Sequence, residues 1–260
     1  MSETDDPRKP AERSLGIRSG SAARQKGELA LLECGELTLV GQMRWSSNAT
    51  FLATIHDADR FLLCVYKPRA GEQPLLDFPD GSLCAREVAA FLVSRALGWD
   101  LVPTTVLRDG PLGIGAVQRY VPHNPDSHFL NLEEFDRDRA MQIAAFDVVT
   151  NNADRKSGHV ITDPAGRLWA IDHGLTFSVE PKLRTVIWTF AGESLAAPVM
   201  VALQRLASDL IVGGSLRTAL GVYLSAAELD ALRLRSTDLC EAGRFPWADR
   251  ERRSVPWPPV

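Results

Sequence analysis

The stretch "FDVVTNNADRKSGHVI", Phe146 to Ile161, packs two asparagines, an aspartate, an arginine, a lysine and a histidine between an apolar helical pattern and an apolar strand. A solvated loop would account for the polarity alone. Reading outward, "NLEEFDRDRAMQIAAFDVVT" before it has helical periodicity, and "HVITDPAGRLWAIDHG" after it reads as a hairpin turning at Pro164-Ala165-Gly166. The polar cluster therefore lies where a helix hands over to a hairpin, and a second carboxylate, Asp172, follows one hairpin later.

Composition narrows what such a junction can serve. With 260 residues, 45% of them hydrophobic, the chain can build one large domain or two small lobes around a real core. A net charge of -4 and a pI near 5.8 argue against a nucleic-acid partner. The four cysteines, Cys34, Cys64, Cys84 and Cys240, lack the pairing of a zinc site or a disulfide framework, and with no apolar run of membrane-spanning length the expected compartment is the cytoplasm. Five lysines stand against twenty-four arginines, so a lysine inside an apolar strand is conspicuous.

The pattern predicts an α+β chain of two lobes. Residues 1–27 read as a disordered tail. A β-rich N-lobe over 28–121 holds strands in "ELALLECGELTLVGQM", "ATFLATIHDADRFLLCVYKP", "LVPTTVLRD" and "LGIGAVQRYVP". One helix, "DGSLCAREVAAFLVSRALGWD", interrupts them, with Asp80 or Ser82 as its cap and Gly98 as its stop. A mostly helical C-lobe over 122–243 ends with a helix opened by the capping box Ser225 to Glu228 and closed by Gly243. Residues 244–260, rich in proline and tryptophan, form a C-terminal tail that docks or frays.

Lys67 is the conspicuous lysine, at the end of "FLLCVYKP". An ammonium there sits on an edge, snorkels to water, or is paired in a cleft. Leu83, Ala90, Phe91 and Leu97 define the apolar stripe of the following helix, and Glu87 lies on that stripe. A carboxylate on a buried stripe needs a cation, and Lys67 is the cation that the preceding strand delivers. A strand lysine paired to a helix glutamate is the device by which kinases position nucleotide phosphates. Such a site also needs a carboxylate beside the acceptor hydroxyl and another holding magnesium. Asp154 and Asp172 meet that demand, with Gly174 expected to let the backbone turn after the metal ligand.

In their order, "VYKP", "REVAAFLVSRALGWDLVPTT", "GAVQRYV", "FDVVTNNADR" and "AIDHGLTF" resemble the phosphatidylinositol 3-/4-kinase family, most closely its type II 4-kinase branch and uncharacterised bacterial proteins with that domain. The resemblance spans about residues 35 to 190 and implies a two-lobed protein-kinase-like fold that uses ATP and Mg2+. It implies that Lys67 contacts phosphates, that Glu87 orients it, and that Gln118, Arg119, Tyr120 and Val121 form the hinge that meets adenine. Asp154 becomes the catalytic aspartate, flanked by Asn152 and Arg155, with Lys156 placed to neutralise the moving phosphoryl group, and Asp172 becomes a metal ligand. Ser46 to Thr50, including Ser47 and Asn48, resemble the hairpin turn that covers the phosphates. The chain departs from the family at His159, where an asparagine usually ligates the second metal. Imidazole suits Mn2+ better than Mg2+, so the metal chemistry is altered or transfer is compromised.

The expected activity is transfer of the γ-phosphate of ATP to a hydroxyl of a small metabolite, a protein or a lipid. A nucleotide-binding pseudokinase and a nucleotidyl transferase on the same fold are the alternatives. Lys182 and Arg184, with Phe177, Ile187, Trp188 and Phe190, would offer a lipid acceptor a basic and apolar surface if those aromatics were exposed. Such aromatics more often serve as core, and the reading leans to a soluble acceptor.

Overall fold

The computed structural model describes residues 22–43 and 48–260. Helix α1 (Ala22–Cys34) comes first, and strand β1 (Glu36–Gln42) follows it. The expected strand across "ELALLEC" is therefore helical, as are residues 22–27 of the expected tail; residues 1–21 lie outside the described residues. The window is rich in Ala, Leu, Gln, Lys and Glu, all good helix formers. Consecutive Leu31 and Leu32 are both buried, which a strand with alternating faces does not allow.

Strands β2 (Phe51–His56), β3 (Phe61–Pro68), β4 (Thr105–Gly110) and β5 (Gly113–Arg119) complete an antiparallel sheet in the order β1-β2-β3-β5-β4. Leu31 and Leu32 of α1 pack with Ala53, Ile55, Cys64, Tyr66, Val106 and Val117 to form the small core of this lobe. The register Lys67↔Ala116 and Pro68↔Gly115 fixes the end of β3 against β5. Gly115 is required there, since a Cβ would lie 2.5 Å from the Lys67 carbonyl oxygen and 2.7 Å from the Pro68 Cα.

Helix α2 (Leu83–Ala96) joins β3 to β4 and packs on β4 and β5. Its N-terminus corrects the expected cap. Asp80 does not cap it, and the Ser82 hydroxyl donates to the Pro79 carbonyl at 2.6 Å. Glu72 caps the helix instead, accepting from the Leu83 N–H at 3.0 Å and the Cys84 N–H at 2.8 Å. A carboxylate suits a helix N-terminus, where the free N–H groups carry partial positive charge.

The second lobe begins with α3 (Arg137–Thr150), capped by Asp136 and closed by Asn151 in the left-handed conformation, φ 52°. The hairpin β6 (Val160–Thr162) and β7 (Leu168–Ala170) follows, turning through Gly166 at φ 82°. Residues 171–196 contain neither helix nor strand, where mostly helix was expected. Helices α4 (Ala197–Asp209), α5 (Ser215–Leu220) and α6 (Ala226–Ala242) come after it, and α6 has the Ser225/Glu228 capping box and the Gly243 stop that its sequence predicts. One apolar cluster runs from Phe91 and Val93 of α2 through Phe146 and Val149 of α3 to Leu203 and Leu232, so α2, which packs on β4 and β5, also belongs to the core of the second lobe. The C-terminal segment docks: the Ser254 carbonyl accepts from the Thr185 N–H and the Trp188 indole, both at 3.0 Å, and Pro259 accepts from the Ser157 N–H at 2.8 Å.

Gly115→Ala is expected to cost about 1–3 kcal/mol, the range for forced overpacking, because β3 and β5 must separate to admit the methyl. Urea denaturation of the two proteins measures it, and an unchanged midpoint would show that the strand end yields without loss.

Candidate active site

At the end of β3 the Lys67 ammonium meets two carboxylates. It pairs with Glu87 of α2 and, at 2.9 Å, with Oδ1 of Asp172 just beyond β7. The Glu87 side chain is 3% exposed, and its second oxygen accepts the His173 N–H at 3.0 Å. Burial pushes the Lys67 pKa down, but Asp172 and Glu87 together raise it above its ordinary value, so the ammonium stays charged. Asp172 carries the backbone turn itself, at φ 59°. Gly174 is not the turning residue, and its lack of a side chain serves packing, since a Cβ would lie 3.3 Å from that of Leu83.

Asp154 faces the same cleft from the loop after α3. The cleft is lined by Asn48 to Thr50, Lys67, Glu72, Glu87, Asp154, Asp172 and Leu175 among others. Lys156 Nζ lies 3.3 Å from Asp154 Oδ2. Burial raises the Asp154 pKa against the opposing pull of Lys156, and the Asp172 charge adds to the rise. A carboxyl tuned upward in this way accepts a proton more readily than an ordinary surface aspartate.

Asn152 and Arg155 do not face the cleft, contrary to the expected catalytic role. Both lie beneath the loop, bonded to Asp147 on the buried face of α3. Arg155 is fully buried; its Nε donates to Asp147 at 3.0 and 3.1 Å, and its other nitrogens donate to the carbonyls of His159 and Ile171 and to the His173 ring. The Asn152 amide donates to Asp147 at 2.9 Å, while its carbonyl oxygen accepts the Asp154 N–H at 3.0 Å. These two residues hold the loop in shape, and Asp154 projects from it.

His159 reaches the site. Its Nδ1 is 2.9 Å from the Asp154 carbonyl and 3.4 Å from the Lys156 backbone nitrogen, and its Nε2 lies 3.2 Å from Asp172 Oδ2. Burial depresses the His159 pKa to about 4, with Asp172 opposing, so the ring is neutral at pH 7. An imidazole nitrogen and a carboxylate oxygen 3.2 Å apart present two ligand atoms to one point. The donor set thus fits a divalent ion that takes one carboxylate and one imidazole from the protein and its remaining ligands from phosphate and water. No cluster of three or more His, Cys, Asp or Glu side chains with metal-binding spacing occurs among the described residues.

The remaining expected site residues fall elsewhere. The Gln118 amide is buried against the Thr105 hydroxyl at 2.8 Å, and Arg119 pairs with Glu28 and lies 4.7 Å from the Trp169 ring centroid. Neither side chain lines the cleft. The Tyr120 N–H is spent on the Leu63 carbonyl, and the Val121 carbonyl accepts from His123. Ser47 lies outside the described residues, whereas Asn48 lines the cleft and accepts the Gln73 N–H at 2.8 Å. Phe177, Ile187 and Phe190 are core, with exposures of 3% or less. Sequence reading missed Glu72, Arg86, Asp147 and His173. Asp147 carried the same signal as Glu87, a carboxylate on an apolar helix face.

This two-lobed arrangement is the kinase-like fold. A solved structure of hydra Fam20 with sugar matches it with a TM-score of 0.56 at 13% identity, covering 86% of this chain and 89% of that one. The Golgi casein kinase with Mn/ADP bound matches with a TM-score of 0.52 at 13% identity, covering 85% and 76%. The chain belongs to the family of Protein Rv2133c of Mycobacterium tuberculosis (strain ATCC 25618 / H37Rv), with 41% identity over 266 aligned residues that cover 89% of this chain and 95% of the relative. No family model matches the chain.

Two outcomes follow from this geometry. Asp147→Ala strands the buried Arg155 guanidinium and is expected to cost about 3–5 kcal/mol in urea denaturation; a loss under about 1 kcal/mol would mean that water reaches Arg155. The second concerns pH. His159 and the buried His173 both have depressed pKa values, chiefly through burial, so the folded chain holds them neutral while the unfolded chain protonates them near ~6.5. Their stabilisation is complete above that value and is lost as pH falls from it towards the folded values. His159→Gln removes one of the two protons, which should lessen the dependence of stability on pH between 6 and 4.5 by about 1.4 kcal/mol per pH unit. An identical slope in the variant would show that the His159 ring titrates normally.

Proposed function

We propose that this protein is an ATP-dependent phosphotransferase that moves the γ-phosphate of ATP to the hydroxyl of an acceptor. One observation carries the reading: Lys67, held between Glu87 and Asp172, shares a single cleft with Asp154, and His159 lies 3.2 Å from Asp172. Kinase-like neighbours support it, one of them solved with Mn/ADP bound. Within that class, the motif order favours the phosphatidylinositol 3-/4-kinase-like type. The basic and apolar surface that a lipid acceptor would use is weakened, because Phe177, Ile187 and Phe190 are core, and a soluble acceptor is therefore preferred.

In this mechanism the Lys67 ammonium neutralises the nucleotide phosphates, and Glu87 keeps the ammonium in place. Asp154 orients the acceptor hydroxyl and takes its proton as the bond from oxygen to the γ-phosphorus forms and the bond from that phosphorus to the bridging oxygen breaks. Lys156 lies beside Asp154, where it offsets charge on the moving phosphoryl group. Asp172 and His159 would hold a divalent cation, which supplies charge neutralisation to the phosphates when bound. A neutral imidazole among these ligands suits Mn2+ better than Mg2+.

ATP labelled separately at its α and γ phosphates, incubated with the protein, Mg2+ or Mn2+ and pools of metabolites, lipid vesicles and protein, tests the reading. Label is expected to leave from γ alone, faster with Mn2+, and Lys67→Ala and Asp172→Ala should each lower transfer by roughly 100-fold or more. Transfer from α would make the protein a nucleotidyl transferase. Binding without transfer would make it a pseudokinase, the reading that His159 favours over the family's asparagine.

A further inference from the structure

Arg86 immediately precedes Glu87 on α2, and it is charged yet only 2% exposed. Its guanidinium donates to the Thr176 carbonyl at 2.6 Å and to Glu228 of α6, its Nε lies 3.3 Å from the Ser82 hydroxyl, and it stacks 5.1 Å from the Phe78 ring centroid. Glu228 is itself immobilised, because it accepts the Ser225 N–H at 2.8 Å in the capping box of α6. Two adjacent residues therefore fasten α2 to the second lobe. Glu87 holds the His173 N–H, and Arg86 holds the Thr176 carbonyl three residues further along the same segment.

That segment is fastened from its other side as well. The Leu175 carbonyl accepts from the Ala153 N–H at 2.8 Å, and the Phe177 N–H donates to the Thr150 carbonyl at 2.6 Å. The Ser178 carbonyl accepts from Asn151 at 2.9 Å and from the half-buried Arg235 at 3.1 Å. Thr176 and Ser178 are 0% and 9% exposed, so neither hydroxyl is presented to a modifying enzyme. In kinase-like folds the lysine–glutamate pair and the metal-binding aspartate must be in place together, and the position of this helix is the usual point of control.

We propose that Arg86 is a positioning residue: by bolting α2 to Thr176 and α6, it keeps the Lys67–Glu87–Asp172 cluster permanently assembled, with no activating modification of the 173–180 segment. Arg86 touches neither nucleotide nor acceptor and acts only through Glu87. Its consequence for catalysis rests on the phosphotransferase reading, but its effect on Lys67 does not.

The scarcity of lysine supplies a readout that needs no activity. Brief acylation with an amine-reactive reagent, followed by peptide mass spectrometry, reports Lys67 against exposed Lys26 as an internal reference. In the native chain Lys67 is held charged between two carboxylates and should label slowly. Arg86→Met should raise the ratio of Lys67 to Lys26 labelling by at least about fivefold, the low end of a positional coupling. Glu228→Gln, a milder change that decides the matter if Arg86→Met does not fold, should raise it by a smaller factor. Leu203→Ala destabilises the chain through a cavity in α4, a helix that supplies none of the Arg86 partners, and should leave the ratio unchanged well below its melting temperature. An unchanged ratio in both the Arg86 and Glu228 variants, or an equal rise in the Leu203 variant, would overturn the proposal. Calorimetry with Mn2+ and ADP runs in parallel and separates the two readings. Altered labelling with no nucleotide binding in any of the proteins would keep Arg86 as the positioning residue and remove the nucleotide site.

Discussion

The carboxylate of Glu87 joins three segments at one point. It accepts from Lys67 at the end of β3, it is carried by α2, and it accepts the His173 N–H beyond β7. A carboxylate this buried is costly unless every lone pair is engaged, and the cost falls on whichever segment fails to arrive. The sheet, the helix and the second lobe are therefore interdependent around one side chain. The apolar cluster that α2 shares with α3 supplies the packing that makes such an arrangement affordable.

Asp147 performs the equivalent task within the second lobe, gathering Arg155, Asn152 and the Thr185 hydroxyl beneath the loop that follows α3. The two networks meet at Asp172. Arg155 donates to the Ile171 carbonyl and to the His173 ring, while Glu87 takes the His173 N–H, so the residues on both sides of Asp172 are fixed. This clamping sustains a left-handed aspartate at φ 59°, a conformation that costs on the order of 1–3 kcal/mol outside glycine. Strain held by two buried networks is preorganisation: the carboxylate is aimed before any ligand arrives.

What the sequence made legible was charge set against an apolar pattern. Lys67 and Glu87 stood out because neither belongs in its surroundings, and the fold class followed from their order with Asp154 and Asp172. Asp147 carried the same anomaly and was passed over, since it lay inside a motif whose polar residues all seemed to face one site. Nothing local marked Arg86 or Glu72. One is an arginine among twenty-four, and the other caps a helix that begins eleven residues later, a relation that exists only once the intervening loop has folded. Helix α1 reads as a strand because its leucines alternate over a short window, while the helix-forming residues before Glu28 fall in the stretch that reads as a tail. The direction of Arg155 was illegible for a different reason: a side chain beside a catalytic aspartate can turn to the cleft or to the core, and only the partner on α3 decides which.

The balance of charge around the cleft constrains how a nucleotide could enter it. Among the described residues, Glu72, Glu87, Asp154 and Asp172 face Lys67 there, with Lys156 beside Asp154 and with His159 neutral. Four carboxylates against two ammonium groups leave the site negative, and polyphosphate added to it would be repelled. A kinase-like protein that relied on its own cations to attract ATP would show the opposite balance. Here the attraction would come with the ligand, as a divalent ion taken up between His159 and Asp172 that neutralises phosphate. The metal, drawn in by the surplus of carboxylates, would then cancel the charge that repels the nucleotide, and by reciprocity the bound nucleotide would tighten the hold on the metal.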